Sequence, residues 1–194
     1  MTKVLDISVD FGIIRALKPT TILYNMPHKL ITDKVNIELL PEIQLTNAKA
    51  ELSKNRGMYF WFDKETHEIV YIGIAVGVGG LRTRVALQHL NPNYLECRTK
   101  KHTAKDEFQI RHAIERVSTK DGSVKRGIDK SAFRKSIARK LKMKPGNDTV
   151  NYIHEHLYLK VYESEDVPVI KALEINLIGE YQPLFNTAHK SKSV

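Results

Sequence analysis

Met58-Tyr59-Phe60-Trp61-Phe62 is an unbroken apolar run with four aromatic rings in succession. Few environments accept such a run, and a strand covered on both faces suits it. Asp63-Lys64-Glu65-Thr66 follows as a turn, and Ile69-Val70-Tyr71-Ile72 is a second β-rich run, so the two are expected to pair as an antiparallel hairpin. A third strand is expected over residues 157–162, where Leu157, Leu159 and Val161 alternate with Tyr158, Lys160 and Tyr162. The expected fold class is α+β: a small three-stranded antiparallel sheet flanked by helices, with a basic helical insertion.

The helical signals surround this sheet. Val76-Gly77-Val78-Gly79-Gly80 reads as a flexible loop into a helix over residues 81–90; no Gly-Lys-Ser or Gly-Lys-Thr follows, which argues against a phosphate-cradling loop. Residues 42–54 are expected to include a short helix. Residues 106–118 have helical spacing through Phe108, Ile110, Ala113, Ile114 and Val117, and 119–129 read as a polar turn region. Ser131 is placed to cap a helix from 132 to about 143, with Phe133, Ile137 and Leu141 as its apolar stripe. Asp166 and Pro168 open a last helix running to about Tyr181. Toward the start, strands are expected within 7–14 and 22–24, with Pro19, Pro27 and Pro41 interrupting any long element. The chain divides into an N-terminal arm or subdomain (1–54), a main domain (55–188) with the insertion at about 91–148, and a tail (189–194).

With 194 residues and 42% hydrophobic content, the chain suits one soluble domain with an elaboration. No apolar run approaches the ~20 residues that cross a bilayer, so no membrane partner is expected. The first residues lack a signal-like apolar stretch, and the single cysteine, Cys97, excludes an internal disulfide; both agree with a cytoplasmic location. The net charge of +9 is concentrated: residues 96–144 hold 16 Lys and Arg against 6 Asp and Glu, whereas the rest holds 15 against 16. With apolar residues interleaved, a folded block with a basic outer surface and a polyanionic partner is the simplest reading; a solvated loop is the alternative.

A few side chains carry chemistry. On the last helix Ile170, Leu173, Leu177, Ile178 and Tyr181 form an apolar stripe, and Glu174 falls inside it. A carboxylate there is costly unless paired or metal-bound; it is either an edge residue reaching water or an Arg, or a ligand to a hard cation. On the first helix, spacing places Leu81, Arg84, Val85 and Gln88 on one face, so Arg84 is either a structural ion-pair partner or a phosphate clamp. Tyr59 and Tyr71 read alone as ordinary strand tyrosines. His89, His102, His112, His154 and His156 show no spacing that demands zinc.

Taken in order, Gly57-Met58-Tyr59, Tyr71-Ile72-Gly73, Arg84, Glu174 and Asn186 resemble the motifs of the GIY-YIG nuclease superfamily, which includes intron homing endonucleases, the incision subunit of bacterial excision repair and some restriction enzymes. The resemblance spans residues 57–186 and is interrupted by the basic block, where members commonly carry insertions. Glu174 precedes Asn186 in a helix-then-Pro183-Leu184-Phe185-Asn186 context, and Ser131-Ala132-Phe133-Arg134-Lys135 is similar to a Ser-Ala-Leu-Arg-Arg segment of some small members. The resemblance implies that Tyr59 is the general base or positions the attacking water, that Tyr71 and Arg84 hold the scissile phosphate, that Glu174 binds Mg²⁺ (or Mn²⁺), and that Asn186 supports the site. There are departures. Met58 replaces Ile, and Ile74 stands where some members have Lys or Ser. The Gly-rich loop is longer, so Arg82 competes with Arg84. The place four residues after Arg84 holds Gln88, and His89, the candidate for the family's histidine, comes one later.

The expected function is therefore that of a metal-dependent DNA endonuclease, site-specific and restriction-type first. A repair, phage or homing nuclease is the next reading, and a catalytically idle nucleic-acid-binding protein is the alternative of another class. Arg82, Arg134, Lys135, Arg139 and Lys140 are the expected DNA contacts, and two strands to cut make a homodimer an expectation. One site needs Tyr59 and Tyr71 on the same sheet face. A three-residue hairpin loop, with Asp63 opposite His67, or an equivalent bulge would provide that.

Overall fold

The computed structural model describes residues 35–97, 107–117 and 122–189; the strands expected within 7–14 and 22–24 and most of the tail lie outside these. A two-residue strand β1 (Glu42–Ile43), a short 3₁₀ turn (Leu45–Asn47) and helix α1 (Ala48–Glu51) come first. The short helix expected over 42–54 is thus confined to one turn. Strands β2 (Gly57–Asp63) and β3 (Ile69–Ala75) form the hairpin. Next come a π-helix (Arg82–His89), β4 (Leu95–Cys97), α2 (Glu107–Arg111), β5 (Ile114–Val117), β6 (Val124–Asp129), α3 (Ala132–Leu141), α4 (Asn147–His156), β7 (Leu157–Glu163) and α5 (Val167–Tyr181).

The protein is α+β with antiparallel sheets. The main sheet has the order β1-β7-β2-β3, so β1 adds a fourth strand to the three expected. Every residue of β2 from Gly57 to Phe62 is buried, because the sheet is covered on both faces. Met58, Phe60 and Ile72 pack against Ile170, Leu173, Leu177 and Ile178 of α5. Tyr59, Trp61, Leu159 and Val161 face the other way, against Leu81, Val85, Phe133 and Ile137. Each fully buried large side chain is worth about 1.5–3 kcal/mol, which makes the aromatic run the main anchor of both layers.

The hairpin register differs from the three-residue loop and uses a bulge. Asp63 N–H donates to Glu68 O at 3.0 Å and His67 N–H to Asp63 O at 3.0 Å, with His67 left-handed at φ 58°. Phe62 pairs with Ile69 but Trp61 pairs with Tyr71, so Val70 is the extra residue. Tyr59 then opposes Gly73, and Tyr71 opposes Trp61. Opposed residues share a face, so Tyr59 and Tyr71 lie on the same side, offset diagonally.

The insertion is not purely helical. The helix expected over 106–118 ends at Arg111, and the β-branched Ile114 and Val117 belong to β5 instead. The polar region expected over 119–129 contains β6, the middle strand of a second sheet of order β4-β6-β5. Gly127 sits where strands crowd: a Cβ there would lie 3.2 Å from Leu95 Cβ. Ser131 caps α3 as expected, its Oγ accepting from Arg134 N–H at 3.3 Å, and Asp166 caps α5, accepting from Val169 N–H at 3.1 Å. Lys142 ends α3 in the left-handed conformation, leaving Leu141 exposed. No helix of the described residues is long and apolar enough to cross a membrane.

Candidate active site

Two glycines of the hairpin exist because something lies where a side chain would be. The Tyr59 ring lies across Gly73, where a Cβ would come within 2.4 Å of its Cζ. A Cβ on Gly57 would come within 2.2 Å of Tyr162 O on the neighbouring strand β7. Tyr59 is thereby laid flat toward Tyr71, with ring centroids 6.2 Å apart and an interplanar angle of 27°.

The next contribution comes from the π-helix. Leu90 N–H reaches back five residues to Val85 O at 2.9 Å, so the turn is wider than an α-helical one and residues four apart come to share a face. The expectation that Arg84 and Gln88 share an α-helical face with Leu81 and Val85 is corrected: the buried set is Leu81, Val85 and His89. His89 Nε2 lies 2.9 Å from Tyr59 Oη and Nδ1 lies 2.7 Å from Ser131 Oγ. Gln88 stays at the side and accepts from Arg84 Nη1 at 3.0 Å. Arg84 Nε is buried with no partner among the described residues, while the guanidinium interacts electrostatically with Tyr59. Arg82 is occupied elsewhere, its Nε donating to Leu52 O at 2.7 Å, and of the two arginines Arg84 is the one that interacts with Tyr59 and Tyr71.

Glu174 is half-buried on α5, and α5 packs along β3, the edge strand. It interacts electrostatically with Arg84, Tyr59 and Tyr71. Burial pushes its carboxyl up to about 6, against the opposing pull of Arg84. Burial raises Tyr59 and raises Tyr71 further, so both phenols keep their protons near neutrality, while the imidazole of His89 is pushed well below its ordinary value by burial and then by Arg84 and Arg134. Asn186 touches backbone: its Oδ1 accepts from Ile72 N–H at 2.9 Å and its Nδ2 donates to Ile72 O at 2.8 Å. It therefore clamps the outer edge of β3 between Tyr71 and Gly73, helped by Phe185 N–H donating to Val70 O at 2.8 Å.

The basic residues expected on the nucleic-acid face divide. Arg134 is fully buried, 3.0 Å from Asp129, and donates to the carbonyls of Asn91 and Tyr94 at 2.6 Å each. Asp129 also accepts from Gln109, Thr149 and the Gly146 N–H. Arg134 is thus a bolt holding the insertion together, not a surface cation, and Lys135 is partly buried against Glu96 at 2.5 Å. The sequence alone did not show the Asp129 cluster or the Ser131 link to His89; only the capping signal at Ser131 pointed to either. Arg139 is partly exposed, and Lys140, Lys142 and Lys144 are exposed.

Among the described residues, no group of three or more His, Cys, Asp or Glu is placed to hold a metal. A cation beside Arg84 and the tyrosines would take Glu174 as its protein ligand. A single carboxylate fits a hard ion that keeps waters and draws on substrate oxygens, and does not fit a zinc-type site. Searched against family models, curated proteins and solved structures, the chain gave no match.

Proposed function

We propose that this chain is a metal-dependent DNA endonuclease of GIY-YIG type, cutting phosphodiester bonds at specific sites in the manner of a restriction enzyme. What supports the reading is one juxtaposition. Tyr59, Tyr71, Arg84, His89 and Glu174 come from four elements, β2, β3, the π-helix and α5, and interact in one polar cluster beside β3.

Each side chain has work suited to its surroundings. Arg84 stays charged and is partly exposed, with one Nη1 N–H held by Gln88, and its outer N–H groups would donate to a phosphate oxygen. Tyr71 adds a hydroxyl donor on the same sheet face. Tyr59 would orient and deprotonate the attacking water, with Arg84 lowering the cost of its phenolate. Glu174 would hold Mg²⁺ or Mn²⁺, which when bound supplies charge neutralisation at the phosphate and an ordered water. Asn186 keeps β3 in register so that Tyr71 stays beside Tyr59.

The test is plasmid cleavage. Supercoiled DNA should be nicked or linearised by the chain with Mg²⁺ or Mn²⁺ and left intact with a chelator. DNA that is bound but never cut with either ion would reduce the chain to a binding protein.

A further inference from the structure

A buried series of hydrogen bonds leads away from the Tyr59 phenol, and its direction is set at the far end. Ser131 is 2% exposed. Its Oγ has two partners, the backbone N–H of Arg134 at 3.3 Å and His89 Nδ1 at 2.7 Å. An N–H can only donate, so Oγ accepts from Arg134. Toward His89 two arrangements are open. If Nδ1 carried the proton, Oγ would accept twice, and its own hydrogen would have no acceptor among the described residues. If Oγ–H donates to Nδ1, every group is used. The buried imidazole is neutral, so an unprotonated Nδ1 leaves its one proton on Nε2. Nε2 is the atom 2.9 Å from Tyr59 Oη.

We propose that Ser131 is a positioning residue for the tyrosine chemistry: by donating to His89 Nδ1 it fixes the imidazole as an Nε2–H donor to Tyr59 Oη. The inference rests on reading Tyr59 as the residue that meets the attacking water. Its consequence is a division of labour. His89 is not the base that takes the phenol proton; it holds the phenolate once that proton has left to solvent. The phenolate then takes a proton from water as the water oxygen bonds to phosphorus. The leaving oxygen departs with its electron pair and takes from solvent the proton that Tyr59 gave up, and Tyr59 is again a phenol. The same hydroxyl caps α3, so the helix that carries Arg139 and Lys140 also sets the tautomer at the site.

Long-range ¹H–¹⁵N spectra of the imidazole nitrogens read the tautomer in the wild-type chain. His89 is assigned among the eight histidines by its loss in His89→Gln. The expected result is a protonated Nε2 and a bare Nδ1; an Nδ1–H tautomer overturns the proposal. Cleavage kinetics give the second arm. Ser131→Thr keeps both cap and donor and should cleave within a few-fold of wild type. Ser131→Asp keeps the cap but has no hydrogen to donate, and it should lower kcat on the order of 100-fold, as should Ser131→Ala. A capping role alone predicts that Asp restores activity, and wild-type kcat in Ser131→Asp would sink the assignment. A wild type that cuts no phosphodiester overturns the functional reading and Ser131's part in it, while an Nε2–H spectrum still establishes the bond direction.

Discussion

Glu174 keeps its proton to about pH 6 because burial outweighs the nearby Arg84. The native state therefore holds that proton more tightly than the unfolded chain does. Below about pH 4.5 both states are protonated and nothing is lost. As pH rises through about 6, the native protein must ionise a half-buried group that the unfolded chain ionises freely, so stability falls. Allowing for partial exposure, the loss is about 1–2 kcal/mol. Glu174→Gln, measured without divalent ions, should raise the melting temperature at neutral pH and converge with wild type near pH 4.5. A structural ion pair with Arg84 predicts the opposite sign. In cleavage assays the same variant should lose orders of magnitude in rate while DNA affinity without metal holds or rises. Arg84→Ala should lose both cleavage and some affinity, because a phosphate-binding cation is gone.

At the scale of elements, the β3 edge and the π-turn decide the geometry. Asn186→Ala should strand Ile72 N–H and C=O, at a cost of about 1–3 kcal/mol for each group left unsatisfied. Hydrogen exchange at Ile72 should quicken, and cleavage should fall more than substrate affinity does. Unchanged exchange at Ile72 would show that the clamp is idle. The sequence made some elements plain because their causes are local. The aromatic run of β2, the Ser131 cap and the Asp166 cap with Pro168 each lie within a few residues of what they determine. The π-turn was not legible, because the turn that absorbs an extra residue depends on what His89 finds in space. Tyr59 and Ser131 lie 30 and 42 residues away from it. Gly127 gave β6 no side-chain pattern, and the cationic face of α3 concealed an arginine that points inward. For the same reason the candidate site was legible as a set of residues but not as a geometry: the resemblance pointed to Tyr59, Arg84 and Glu174, while the histidine register and the role of Ser131 had to come from packing.

For the whole molecule, charge and stability separate cleanly. Arg139, Lys140, Lys142 and Lys144 line the outer end of α3 and the turn after it, at least partly exposed. Replacing all four by Gln should leave folding intact. It should also flatten the log–log salt dependence of duplex binding by about 0.9 for each phosphate that these side chains no longer neutralise. Arg134→Gln should instead destabilise the protein by about 3–5 kcal/mol, because Asp129 would be left buried without its counter-charge. A flattened salt slope with unchanged stability in that variant would return Arg134 to the DNA surface. The Asn186 clamp also bears on how copies could meet. An open sheet edge invites another chain to add a strand. Here one edge has Ile72 and Val70 already taken by Asn186 and Phe185, and the other is a strand of two residues. The main sheet therefore offers little template for β-augmentation, and self-association across it would run through side-chain surfaces, where point substitutions can dissolve it without touching the fold.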